Sequence, residues 1–242
     1  MDYLTDDARY AIPERRIDVP HIAALPPITV PDQEQVLILD GHLDCLRVMN
    51  EQFRVPNGPL TIECWFNAES FGDRVGLIAK TEYSEYGIFV SDGRPNFSIH
   101  LDGRYAEAQS ADSMLRTDVW HHIAGVYDEQ EVRLYVDGQL IDTVRRAGRR
   151  TPNRLPIFIG ADVDRHGQPT SFFDGAIDAV RVSTTARYDG DSFVPARRLE
   201  TDDHTQILLN MDARVGPWVY DNSTNHAHAL IEGDTRIQSP TR

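Results

Sequence analysis

Four of the six Asp-Gly pairs set the limits on this chain's fold. They stand at Asp40-Gly41, Asp92-Gly93, Asp102-Gly103 and Asp137-Gly138, and each separates two short apolar runs. A type I′ hairpin turn needs positive φ at two successive residues, which Asp-Gly tolerates. The runs around them are residues 36–39, 46–48, 60–66, 75–80, 86–90, 96–101, 105–109, 120–127, 132–136, 139–144, 157–159 and 176–182. Within 60–66, Ile62, Cys64 and Phe66 share one face and Glu63 and Trp65 the other, the period of a strand. No convincing long helical period separates the runs, so a parallel sheet has no crossover helices to use. The expectation is an all-β fold, an antiparallel sandwich or barrel.

Other regions bound the organisation. The chain has 242 residues, enough for one large sandwich that needs neither disulfides nor metal for its core. Residues 1–34 read as an extended arm, because Pro13, Pro20, Pro26, Pro27 and Pro31 each fix φ and remove a donor. Residues 35–242 make the sandwich. No apolar run reaches the ~18 residues of a membrane span, and residues 1–16 carry no signal-peptide pattern, so neither membrane insertion nor a leader is expected. The net charge is −14, the wrong sign for a nucleic-acid partner. The local cluster Arg145, Arg146, Arg149, Arg150 and Arg154 reads as a solvated loop. Lys80 is the only lysine. Cys45 and Cys64 are too few for a disulfide framework; one bridge or two buried thiols are both open, and the second is the better fit.

Three segments occur in an order that resembles a known family. They are Leu60-Thr61-Ile62-Glu63-Cys64-Trp65-Phe66; the hairpin from Trp120 to Asp128 and Val132 to Gly138; and Ile157 to Gly160 followed by Phe173 to Val182. Together they resemble the laminin-G-like, or concanavalin A-like lectin/glucanase, superfamily over about residues 36–200. The resemblance implies a jelly-roll sandwich with Trp120 and Tyr127 as large plugs between curved sheets. The segment Ile207 to Asp212, then Trp218 to Ala229, is similar to the opening of such a module, so residues 201–242 are expected to complete the sandwich in circularly permuted order, beside residues 36–48. A truncated second repeat is the alternative.

The resemblance also implies chemistry. One structural calcium ion would take Asp178, Asp212 and Asp221, with backbone oxygens near Asn225 and Asp40. Glucanase relatives need paired carboxylates on one strand, whereas the acidic cluster here, Asp128-Glu129-Gln130-Glu131, lies in a turn and reads as solvated. Glu82 and Glu85 read the same way, and no catalytic residue is nominated. His121 and His122 are adjacent and point apart on a strand, and His226 and His228 lack a third ligand for zinc. For sugar stacking, the loop aromatics Tyr83, Tyr86, Tyr105, Phe172 and Trp218 are candidates, Tyr105 and Trp218 foremost. The leading expectation is a non-catalytic lectin-like recognition or adhesion module for a glycan or protein ligand, working outside the cytoplasm or at a cell surface. An assembly module that oligomerises through the arm is the alternative, and a glycan-cleaving enzyme stands third.

Overall fold

The computed structural model describes residues 35–49 and 55–239. The expected arm, and any oligomerisation through it, lies outside the described residues. Among those residues there are nineteen strands and no helix, hence no helix long and apolar enough to cross a membrane. Sheet 1 runs in the order β10 (Gln139–Arg145), β9 (Glu131–Val136), β8 (Trp120–Tyr127), β3 (Leu60–Ala68), β14 (Asp174–Ser183), β1 (Val36–Asp40) and β19 (Arg236–Gln238). An eighth strand, β15 (Thr205–Leu209), pairs with the end of β14. Sheet 2 runs β16 (Arg214–Val215), β17 (Trp218–Val219), β18 (Ala229–Glu232), β2 (Cys45–Val48), β11 (Ile157–Ile159), β4 (Val75–Ala79), β5 (Tyr86–Ser91), β6 (Arg94–Leu101) and β7 (Arg104–Gln109). A separate hairpin joins β12 (Asp162–Val163) to β13 (Pro169–Thr170). The two large antiparallel sheets form the expected sandwich.

Period-2 patterning explains the core. Leu60, Ile62, Cys64, Phe66 and Ala68 on β3 meet Tyr86, Ile88 and Val90 on β5 and Phe97, Ile99 and Leu101 on β6 in one buried cluster. Room is tight there. A β-carbon at Gly125 on β8 would run into the Phe97 ring, so glycine lets the sheets close. Asp92-Gly93, Asp102-Gly103 and Asp137-Gly138 each show positive φ at both residues, as a type I′ turn requires. Asp40-Gly41 works differently. Only Gly41 is left-handed, and the Asp40 carboxylate accepts the backbone N–H groups of His42 and Leu43 at 2.8 and 3.1 Å.

The tail joins both layers. β19 pairs with β1, Leu37 opposite Ile237, and β18 pairs with β2, Leu46 opposite Ile231. Residues 205–209 do not lie beside 36–48, however. β14 is ten residues long, and a register shift between Asp178 and Arg181 divides it. Its first half pairs with β1 and its second half with β15, so the two short strands share one long edge. Trp120 also departs from expectation. It is seven residues from Tyr127, an odd spacing on a strand, so the two cannot face the same way. Tyr127 enters the core; Trp120 faces out, beneath the Arg197 guanidinium at 5.1 Å.

The outer face of sheet 1 is sealed by residues 184–200. Thr61 Oγ1 donates to the Thr185 carbonyl at 2.7 Å, and Trp65 Nε1 donates to the Ala196 carbonyl at 3.0 Å. Tyr188 and Phe193 stack at 3.6 Å and pack on Ala124, Val126 and Tyr135. Beneath them Glu63, fully buried, receives Arg181 Nε at 2.8 Å, the Tyr188 hydroxyl at 2.6 Å and His122 Nε2 at 3.1 Å. Burial alone would raise the Glu63 pKa, but His122, Arg181 and Tyr188 outweigh it and hold the carboxyl below its usual range.

Candidate groove on the outer face of sheet 2

Sheet 2 is covered over only part of its outer face. A β-carbon at Gly76 on β4 would run into the Ala161 carbonyl, so glycine lets the β12–β13 hairpin lie against the strand. Gly76 N–H donates to the Ser171 carbonyl at 3.0 Å. Under this hairpin Cys45, Phe158, Ala161 and Val163 form a second buried cluster with Leu155 and Phe172, which assigns Phe172 to packing. Farther along the sheet the outer face opens at Asn96 on β6, half-buried, and at Glu107 and Gln109 on β7, both exposed, whereas Phe89, Ser98 and His100 are buried.

Three cross-strand rows cross this face. Phe89, Asn96 and Gln109 lie opposite one another, then Gly87, Ser98 and Glu107, then His100 and Tyr105. Asn96 Nδ2 donates to Gln109 Oε1 at 3.3 Å. Ser98 Oγ lies 2.7 Å from Asn96 Oδ1 and 2.9 Å from Glu107 Oε1, and its single proton can serve either. These bonds hold two amides and a carboxylate side by side. Gly87 makes room for the Phe89 ring, and Arg74 lies over that ring, 3.7 Å from its centroid. Arg74 is held by an ion pair to Asp162, whose Oδ1 accepts Thr81 Oγ1 and Val163 N–H, both at 2.8 Å. The cavity so formed has a volume of about 440 Å³ and is lined by Arg74, Phe89, Arg94, Asn96, Glu107 and Gln109 among others. That volume lies within the ~300–1,000 Å³ typical of ligand pockets.

The two nominated ligand aromatics share this outer face but not this place. Tyr105 is on β7, 37% exposed, with its ring edge-to-face on His100 at 4.8 Å; it stands one row beyond Glu107. Trp218 is on β17, where its neighbour Val219 enters the core. Six strands separate β17 from β7, about 34 Å at a strand spacing of ~4.8 Å, so one small ligand cannot touch both. Tyr83 is 79% exposed with φ of 52°, and Tyr86 is fully buried in the core, which removes it as a stacking surface.

The nominated calcium ligands are each occupied separately. Asp178 is buried and paired with Arg197 at 2.7 Å. Asp212 is paired with Arg198 at 2.6 Å. Asp221 accepts the backbone N–H groups of Leu208, Ser223 and Ala227 at 2.7 to 2.9 Å, which ties β15 to the following loop. Asn225 Nδ2 donates to the Gln206 carbonyl at 2.9 Å. No group of three or more acidic, His or Cys side chains among the described residues converges on a metal position. Calcium takes six to eight oxygens, so these side chains as placed do not fit the ion.

The remaining candidates resolve into structure. Cys45 and Cys64 are free and buried, on different sheets, and burial pushes the Cys45 thiol up to about 12. His226 and His228 lie 6.0 Å apart, and His228 Nδ1 accepts the Asp221 N–H at 3.0 Å. Two surface readings need correction. Arg150 and Glu85 are buried and joined at 2.6 Å, because the backbone of 148–151 bonds to the β6–β7 turn and to Glu85 and carries the guanidinium inward. Asp128 does make a local turn, accepting Gln130 and Glu131 N–H at 2.9 and 2.7 Å. Lys80 is buried, donating to Asn153 Oδ1 at 2.9 Å and to the Leu155 carbonyl.

Comparison with known proteins bears on this geometry. A family model described as the concanavalin A-like lectin/glucanases superfamily matches residues 39–191. A comparison with curated proteins finds no match. Among solved structures, a candidate carbohydrate binding protein from Bacteroides ovatus superposes with a TM-score of 0.64 at 16% identity, covering 87% of this chain and 61% of that one. Domains LG4-5 of the mouse laminin alpha1 chain give 0.52 at 17%, covering 69% of this chain and 48% of theirs. A Ruminococcus gnavus sialidase CBM40 bound to sialyllactose gives 0.50 at 14%, covering 66% and 95%. The chain thus spans about three fifths of the first structure's length and half of the second's.

Proposed function

Since the chain belongs to the concanavalin A-like lectin/glucanase superfamily, matched over residues 39–191, we propose that it is a non-catalytic recognition module that binds glycan in the groove over β5, β6 and β7. The observation that carries this reading is the polar row of Asn96, Gln109 and Glu107 beside an open cavity. Sugar recognition asks for planar hydrogen-bonding groups held at fixed angles, and hydrogen bonds between neighbouring side chains supply that rigidity. The row sits on strands, which position side chains better than loops. Glycoside hydrolysis needs two carboxylates flanking the scissile bond; Glu107 is the one carboxylate in the described lining. A glycan ligand agrees with work outside the cytoplasm or at a cell surface.

The test is a glycan array followed by calorimetric titration of the full chain. Binding that falls at least tenfold in an Asn96→Ala, Gln109→Ala double variant, with an unchanged melting temperature, supports the reading. Tyr105→Ala, one row away, should weaken binding less, and Trp218→Ala should leave it unchanged. Absence of glycan binding, together with an oligomer that dissociates on removal of residues 1–34, would favour the assembly role instead.

A further inference from the structure

We infer that the groove selects saccharides carrying a carboxylate, a uronic or sialic acid residue, through the guanidinium groups of Arg74 and Arg94; this rests on the glycan-binding reading above. The described lining holds one aromatic. Phe89 lies on the cavity floor but is only 1% exposed, because the Arg74 guanidinium roofs it at 3.7 Å. A sugar ring entering the groove finds a cation where a stacking surface would be. Without an aromatic platform, affinity must come from hydrogen bonds, and those assisted by charge are the strong ones.

The cavity is also polarised along its length. Arg94 sits at the β5–β6 turn, opposite Ser91, and donates through Nε to the Ser91 carbonyl at 3.3 Å. Arg94 lines the cavity; its ion pair with Asp92 is long, at 3.5 Å, and exposed, so it competes weakly. Arg74 is fixed by Asp162 at one nitrogen, Nη1, and a guanidinium has five N–H donors. Glu107 belongs to the Ser98 row, four residues from Arg94 along β6, about 13 Å at strand rise. An anion therefore belongs between Arg94, at the end away from Glu107, and Arg74, over the Phe89 ring that reaches toward Gly87, and sugar hydroxyls belong at the Glu107 side. The guanidinium fork can meet a planar carboxylate through two parallel hydrogen bonds.

The experiment titrates the full chain with matched pairs: oligogalacturonate against its methyl ester, and a sialylated oligosaccharide against its desialylated form. The expected result is at least tenfold tighter binding to the acid member of one pair, weakened by added salt, and lost in Arg94→Gln. Which pair responds separates uronate from sialate. Arg74→Ala uncovers Phe89 and should lower acid binding while raising affinity for the neutral member. Because it also strips Asp162 of its partner, Arg74→Lys serves as a folded control that keeps the charge and loses the fork. Equal binding to acid and neutral members, preference for a sulfated analogue, or full binding by Arg94→Gln overturns the inference but spares the groove. Failure of every saccharide to bind, or binding indifferent to Asn96→Ala, overturns the groove reading itself and the inference with it.

Discussion

The two outer faces of this sandwich treat polar groups in opposite ways. On sheet 1 a carboxylate, an imidazole and a guanidinium lie under residues 184–200, and Glu63 is bonded to Arg181, Tyr188 and His122. On sheet 2 the comparable positions Asn96, Glu107 and Gln109 bond sideways, to each other or to the buried Ser98 between them, and stay open to the cavity. Closing a face over charge is tolerable only where each charge finds a partner, since desolvation costs several kcal/mol per ion. Leaving a face open keeps its hydrogen-bonding capacity for a ligand. The sealed face thus anchors a crossing segment, and the open face is the one suited to recognition.

Substitutions can break this contrast. The largest effect is expected at Glu63: Glu63→Ala strands Arg181 and the His122 ring beneath Tyr188, and should cost about 3–5 kcal/mol in urea unfolding. A loss below ~1 kcal/mol would show that the sealed face is not an anchor. Gly125→Ala, which drives a methyl into Phe97, should cost about 1–3 kcal/mol through overpacking, without touching either outer face. Acid should act on sheet 1 first. Glu63 has its folded pKa depressed, as has Asp202 through its bonds to Arg187. Such groups stabilise the fold fully above the unfolded carboxylate range of ~4, and lose that contribution as pH falls through their lowered values. Urea midpoints should therefore hold from pH 7 to about pH 5 and drop below ~4, less steeply in Glu63→Gln. Asn96→Ala on the open face should change stability by no more than about 0.5 kcal/mol while weakening glycan binding. Chelator is expected to leave the melting temperature where it was, because a bound ion would stabilise by mass action; a drop of several degrees would mean the aspartates rearrange around a metal.

Much of the fold was legible because hairpin turns and strand alternation are local. Counting outward from Asp102-Gly103 even pairs Asn96 with Gln109 and Ser98 with Glu107, so the polar row of the groove lay within reach of the sequence. Such residues look like ordinary solvent-facing positions until the cover over the neighbouring strands is known. The Glu63 site was less legible still. Its partners stand more than a hundred residues away, Arg181 on β14 and Tyr188 on the segment 184–200, which has no regular strand. The charge of Asp178 and Asp212 is plain in the sequence, but the arginines that meet them come from that same segment. Trp120 and Tyr127 are separated by strand parity alone.

Lys80 is the sole lysine of the sequence, and its ammonium is tied inside to Asn153 and the Leu155 carbonyl. The exterior cations are therefore arginines, which keep their protons through the alkaline range. Amine-directed reagents meet no lysine on the folded described surface, so acylation at Lys80 reports the opening of the 80–86 loop rather than surface chemistry, a native clock for local unfolding.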